Sequence, residues 1–177
     1  MRVLIIGGTG YIGPPVVYEL LSRGHEVTIF HRGETVGDLP RETRHVLGER
    51  RDLLFHRNTF RQLRIEVVVD IIAGARSDTK TFVDTFRGIA YRAVVLSSGD
   101  VYRAYDVFFR RESGPLEPTP LSEGARLRTR LYPFRGTAMP TVPWVNWDEY
   151  EKIDVEQEAQ SAPELPTTIL RLPMIYG

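Results

Sequence analysis

The chemistry-bearing residues of this 177-residue chain begin with the glycines of Gly7-Gly-Thr-Gly-Tyr-Ile-Gly13. Gly8, Gly10 and Gly13 fit the spacing G-x-G-x-x-G, and Gly7, Gly10 and Gly13 fit G-x-x-G-x-x-G. Glycines let the main chain turn sharply and let a pyrophosphate approach it; free N–H groups at a helix start then hold the negative charge. The backbone of Gly7, Thr9, Gly10, Tyr11, Ile12 and Gly13 is therefore the expected cradle of a dinucleotide. Phe30-His-Arg-Gly33 supplies the next candidate. An arginine in that place accepts a 2′-phosphate, so Arg32 favours NADP, whereas Glu34 would serve a ribose hydroxyl and suits NAD. A solvated loop arginine fits the same letters. Asp52 has the short carboxylate that could bond an adenine amino group while Leu53 packs on the ring; a helix N-cap is the other reading of Asp52. Ala73 and Gly74 are small, as a cofactor lying against the backbone requires.

These residues need strands and helices to aim them. Residues 3–6 form a short apolar run of the kind that makes a buried parallel strand. Residues 11–23 read as a helix closed by Gly24, with Pro14 and Pro15 tolerated in its first turn. Strands follow at 26–30, 45–47, 67–72, within 91–97 and at 167–172, with helices over 53–63 and 76–87. Gly33, Gly37 and Pro40 break the polar loop after the second strand. The stretch 103–145 carries six prolines, Pro143 among them, and reads as a long irregular excursion. Asn146-Trp-Asp-Glu149 has the spacing of a capping box and predicts a helix from 146 to about 161. Strands alternating with helices and joined by right-handed crossovers predict an α/β, Rossmann-type doubly wound parallel sheet of about six strands, ordered 3-2-1-4-5-6, in one domain over residues 1–177. Ligands of such sheets sit beside strand one at the carboxyl ends.

Composition removes other classes. Lys+Arg and Asp+Glu number 23 each, so no global basic field points to nucleic acid. Arg41, Arg44, Arg50, Arg51 and Arg57 read as a solvated face near the adenine end. There is no cysteine, hence no disulfide framework and no thiol nucleophile. His25, His31, His45 and His56 have no metal-ligand spacing, and no metal is expected. No Gly-x-Ser-x-Gly elbow appears. Met1 leads straight into the first strand and no stretch is long and apolar enough to span a bilayer, so a cytoplasmic protein with no membrane partner is expected.

Four motifs together are more specific than any one. Gly-Gly-Thr-Gly-Tyr-Ile-Gly, Asp52-Leu53, Leu96-Ser-Ser-Gly-Asp-Val-Tyr102 and Leu170-Arg-Leu-Pro-Met-Ile-Tyr-Gly177 resemble the NAD(P)-dependent epimerase/dehydratase family, the extended branch of the short-chain dehydrogenase/reductase superfamily. The resemblance covers nearly the whole chain except 103–145. It implies a catalytic hydroxyl at the end of strand five, here Ser98, which would hydrogen-bond a substrate carbonyl or alcohol. It also implies a Tyr-x-x-x-Lys pair whose lysine lowers the pKa of the tyrosine. Here the sequence departs. The segment reads Asp148-Glu-Tyr150-Glu-Lys152-Ile-Asp-Val-Glu156-Gln. Lys152 takes the lysine's place and would hold the nicotinamide ribose, or else pair with Asp148 or Glu156 on the surface. The tyrosine's place is Asp148. Tyr150 is roughly 200° from Lys152 around a regular helix, so it reaches the site only if the helix start is distorted. Tyr102, Tyr105 and Tyr132 are the other candidate phenols.

The resemblance further implies a smaller substrate-binding region beyond strand six, so the stop at Gly177 suggests a truncated form. The whole protein would be an oxidoreductase-type enzyme acting on a sugar nucleotide or a similar hydroxyl or carbonyl compound, with NADP favoured and NAD admissible. The degenerate tyrosine motif also suits a non-catalytic dinucleotide-binding regulator. A homodimer through the 146–161 helix is the expected assembly.

Overall fold

Val3, Leu4, Ile5 and Ile6 are all buried. A strand that is apolar at every position must be covered on both faces. In the computed structural model, which describes residues 1–35, 38–142 and 145–175, this strand is β1 (Arg2–Ile6). Gly37 and Pro143, expected to break loops, and Tyr176-Gly177 of the last motif lie outside the described residues. β1 pairs in parallel with β2 (Glu26–His31) and with β4 (Val67–Asp70). β3 (Arg44–Leu47) lies beyond β2, and β5 (Arg92–Ser98) and β6 (Thr167–Leu172) lie beyond β4. All pairings are parallel and the order is β3-β2-β1-β4-β5-β6, as the alternation of strands and helices required.

Successive side chains of β1 take opposite sides. Leu4 and Ile6 join Phe30, Val68, Val95, Phe60, Phe82, Phe86 and Val155 in the larger core. Val3 and Ile5 join Val17, Val27 and Ile29 in the smaller one. α3 (Arg76–Phe86) and α5 (Lys152–Gln160) contribute to the larger core, and α1 (Gly13–Ser22) contributes Val17 to the smaller. Pro14 and Pro15 fall in the first turn of α1, where no intrahelical N–H is lost.

Two helices differ from expectation. Residues 53–63 were expected as one helix. The chain instead makes 3-10 turns over Arg50–His56 before α2 (Arg57–Gln62). The turns bring the Arg50 guanidinium onto the carboxylate of Asp70, with bonds of 2.7 and 2.5 Å. The capping box at Asn146 is also wrong. Asn146 closes an isolated turn through Glu149 N–H to its carbonyl at 3.1 Å and Asp148 N–H to its side chain at 3.2 Å. The cap of α5 is Glu151, whose carboxylate accepts the Ile153 N–H at 2.9 Å. Tyr150 therefore precedes the helix, and the 200° argument does not apply to it.

The excursion is tied down by arginines. After α4 (Arg103–Phe108) the chain loops out and returns beside Val101-Tyr102-Arg103, with Arg103 N–H to Arg126 carbonyl at 2.8 Å and Arg128 N–H to Val101 carbonyl at 2.9 Å. Arg128 then makes a fork-to-fork pair with Glu151, at 2.9 and 2.6 Å, both side chains fully buried. The same carboxylate accepts the Tyr132 N–H at 2.6 Å, and Arg128 donates to the carbonyls of Asp100 and Arg130. The planar five-donor guanidinium suits this work, which an ammonium could not do.

Candidate functional site

Gly7 has φ +85°, and a Cβ there would meet Ile72 Cγ2 at 2.5 Å. Gly13 approaches the Gly8 carbonyl so closely that a Cβ would lie 2.1 Å from its oxygen. Both glycines are required by the turn itself. Gly10 differs, because a Cβ there would meet nothing within 4 Å. The turn leaves that side open, as the close approach of a ligand to the backbone requires. Pro14 and Pro15 lack N–H groups, and the Gly13 N–H goes to the Gly10 carbonyl at 3.1 Å. Donors for an anion must therefore come from the turn rather than from the first turn of α1.

The turn opens on a groove of about 850 Å³ at the carboxyl ends of β1, β2 and β4. Gly7, Thr9, Gly10, Tyr11, Ile12, Gly13 and Arg32 all line it. A second groove of about 330 Å³ shares Ile12, Ile71, Ile72 and Val145 with the first. It continues to Ala73, Gly74, Leu96, Ser98, Tyr150 and Lys152. The crevice thus runs from β2 to β5 across the switch point between β1 and β4, with room and donors that fit an extended dinucleotide.

Several expected residues are elsewhere. Leu53 is fully buried in the larger core and does not line the groove. Asp52 is not among the lining residues either, and its N–H bonds Glu49 in the first 3-10 turn. Glu49, Arg50 and Arg51 line that end instead. Asp52 is not an N-cap; Glu49 holds that place without a side-chain bond. Arg32, the mark of NADP, pairs at 2.6 Å with Glu34, the mark of NAD. Of the expected basic face, Arg50 is tied to Asp70, and Arg57 donates to the carbonyls of Asp84, Thr85 and Arg87.

The other end is built from side chains. Lys152 is buried, and its ammonium donates to the carbonyls of Ala73 at 2.5 Å and Leu96 at 2.8 Å. It joins the ends of β4 and β5 and is no surface lysine. Burial lowers its pKa, and the charges of Asp70 and Asp100 oppose that shift. Ser98 Oγ accepts the Asp100 N–H at 3.2 Å, a strand-end cap beside the groove. Ser97 also lines this groove, but its hydroxyl donates to Glu156 at 2.5 Å. The Tyr150 hydroxyl donates to Asp100 Oδ2 at 3.2 Å. Burial and the Asp100 carboxylate push that phenol well above the ordinary tyrosine range. Asp148, in the family's tyrosine position, turns away to bond Gly136 N–H at 2.9 Å. Tyr102 instead meets Arg171 at 3.1 Å, and Tyr132 meets Asp154 at 3.4 Å. Sequence reasoning read Arg50 as part of a solvated face and gave no role to Asp70, Asp100, Arg128 or Glu151. Only Asp70, a carboxylate ending an otherwise apolar strand, carried a local signal.

Among the described residues, no group of three His, Asp or Glu side chains could hold a metal ion, and no helix is long and apolar enough to cross a membrane.

Residues 3–113 match the family described as NAD dependent epimerase/dehydratase. The chloroplast stem-loop binding protein of 41 kDa b from Arabidopsis thaliana is 24% identical over 159 residues, 82% of this chain and 40% of that protein. A UDP-glucose 4-epimerase from Brucella ovis, in complex with NAD, superposes with TM-score 0.69 at 18% identity, over 96% of this chain and 51% of its own. The UDP-glucose 4-epimerase from Bifidobacterium longum, in complex with NAD+ and UDP, superposes with TM-score 0.69 at 17% identity, over 97% and 52%. The chain spans about half the length of these structures, or less for the plant protein. At these identities the superpositions establish the fold. The family match extends over more than half of the chain, which therefore belongs to the NAD dependent epimerase/dehydratase family.

Proposed function

We propose that this chain is the dinucleotide-binding part of an oxidoreductase-type epimerase/dehydratase acting on a sugar nucleotide or a similar hydroxyl or carbonyl compound. The observation that carries this reading is the continuous crevice from Arg32, over Gly10, to Ser98, Tyr150 and Lys152. The turn from Gly7 to Gly13 would hold the pyrophosphate through backbone donors. A nicotinamide at the far end would supply a hydride acceptor or donor. Ala73 and Gly74 would leave space for it, and Lys152, anchored between Ala73 and Leu96, would hold its ribose. Ser98 and Tyr150 border the same space and would hydrogen-bond the reacting oxygen of the substrate.

NADP is the favoured form. Arg32 lines the adenosine end, and a 2′-phosphate would compete with Glu34 for its guanidinium. The test is fluorescence titration with NADPH and NADH. Tighter NADPH binding in the wild type, reduced about tenfold or more in Arg32→Ala while NADH binding is kept, is the expected result. Equal binding of both would refute the preference, and no binding of either at millimolar concentration would refute the function.

A second reading, a non-catalytic binding protein, is favoured by the Lys152 ammonium, which already has two carbonyl acceptors. Cofactor binding without turnover across a panel of nucleotide sugars would support it.

A further inference from the structure

In the usual pair, a lysine one helical turn away lowers the phenol's pKa. Tyr150 has no such neighbour. Lys152 Nζ lies 5.8 Å from the ring centroid and points its protons at two carbonyls. The phenol donates to a carboxylate, Asp100 Oδ2 at 3.2 Å, and also hydrogen-bonds the Ser98 hydroxyl. A phenol held in this way keeps its own proton. It can accept a substrate's proton only if its own has somewhere to go.

Asp100 offers that place. It sits in the turn after β5, behind Ser98 and Tyr150, and is not among the residues lining the groove. Its other oxygen, Oδ1, is buried without a hydrogen-bond partner. Burial raises its pKa, which brings the carboxylate nearer to accepting a proton. Arg128, from the returning loop, the Tyr150 hydroxyl and Lys152 on α5 oppose that rise, while Glu151 adds to it. The Ser98 hydroxyl completes the set of groups facing the pair.

We infer that Asp100 acts through the Tyr150 phenol as the proton acceptor for the substrate hydroxyl, a carboxylate–tyrosine relay standing where a lysine–tyrosine pair would. This rests on the oxidoreductase reading above. In the oxidising direction the substrate O–H bond breaks and its proton passes to Tyr150 Oη. The Oη–H bond breaks as its proton passes to Asp100 Oδ2. The C–H bond would break with its electron pair leaving as hydride, for which an oxidised nicotinamide held in the crevice would be the acceptor, as the carbonyl forms. In the reducing direction the carboxylic acid returns the proton by the same route. Asp100 is thus a positioning residue that acts through Tyr150.

The test follows Tyr150 in the cofactor-free protein, by NMR of ζ-carbon-labelled tyrosine with Tyr150→Phe as the assignment control. The expected result is that Asp100→Asn moves the Tyr150 ζ-carbon signal at neutral pH, because the carboxylate acceptor is lost, and lets phenolate appear at lower pH than in the wild type. In Tyr150→Phe, the Asp100 carboxyl should titrate at higher pH than in the wild type. These two variants disturb opposite partners, so misfolding of one leaves the other to decide. With turnover in hand, the acid limb of the rate profile should vanish in Asp100→Asn and return in Asp100→Glu. An unchanged Tyr150 titration in Asp100→Asn overturns the relay, whatever the cofactor result. A shifted titration without dinucleotide binding overturns the function instead and leaves the pair a structural contact.

Discussion

The two ends of the crevice are built by different means. At the adenosine end the floor is backbone, a glycine turn that follows β1 directly and is held by the Gly7 N–H to Phe30 carbonyl bond at 3.0 Å, with side chains such as Arg32 and Arg51 only around it. At the substrate end the walls are side chains drawn from β5, α5 and the excursion, held by Arg128 and Glu151, which are 23 residues apart. Each end rests on a buried arginine–carboxylate fork, Arg50–Asp70 under the first and Arg128–Glu151 under the second. A backbone-built site depends on what cannot be added to it. A side-chain-built site depends on what cannot be removed.

The largest effect should come from removing a fork partner at the substrate end. Arg128→Ala leaves the Glu151 carboxylate buried beside only the Tyr132 and Ile153 N–H groups. Breaking a buried pair this way costs about 3–5 kcal/mol, and urea denaturation should show a loss of that size. Replacing both partners with apolar residues, Arg128→Met with Glu151→Leu, should recover only part of it: no charge is then stranded, but the Tyr132 and Ile153 N–H groups lose their acceptor. The comparison predicts that folded Arg128→Ala still binds a dinucleotide. Loss of binding with the fold intact would mean that the two ends are one unit.

A smaller effect separates the glycines. Gly13→Ala puts a methyl group against the Gly8 backbone, and overpacking of that kind costs about 1–3 kcal/mol. Gly10→Ala meets no protein atom, so its stability should stay within about 0.5 kcal/mol of wild type. Its dinucleotide binding should still weaken, because the methyl group occupies the space that the ligand needs. Denaturation and cofactor titration of both variants check this. Unweakened binding in Gly10→Ala would place the pyrophosphate elsewhere.

The same contrast explains what the sequence made legible. The sheet order, the turn and the path of the groove follow from local patterns: an apolar run, glycines at fixed spacing, a closing Gly24. Ser98 and Lys152 line the groove where the resemblance put them, because they sit at the ends of regular elements. Leu53 was misplaced because a leucine near a ligand and a leucine in a core are the same letter; Arg50, reaching back to Asp70, decides which it becomes. Tyr150 was set on a helix because Asn146 and Glu149 have capping-box spacing. The nearer carboxylate, Glu151, takes the cap, and Arg128 and the Tyr132 N–H from the excursion hold it there. No local pattern carries that information, since it depends on a contact made through a loop of arginines and prolines.

The smallest effect tests the adenosine end by pH. His31 ends β2 and lines the groove. Its Nδ1 faces the Gly33 N–H at 3.2 Å and its Nε2 faces His45 Nδ1 at 3.0 Å. The network therefore assigns the proton of neutral His31 to Nε2, donating to His45, with Nδ1 accepting from Gly33. A second proton would have to sit on Nδ1, where it meets the Gly33 donor. Burial, and then the His45 charge, lower the His31 pKa below its ordinary 6.5. The folded state thus binds fewer protons than the unfolded one in this range. The contribution is fully present above pH 6.5 and is lost as pH falls through the depressed folded value. Stability measured from pH 7.5 down to 5 should therefore fall more steeply in the wild type than in His31→Gln. NADPH affinity should fall over the same range if the imidazole sets the position of Gly33 and, through it, the Arg32 loop. Parallel stability curves in the two proteins would remove His31 from that role, and the adenosine end would then depend on its glycine turn and on Arg32 without it.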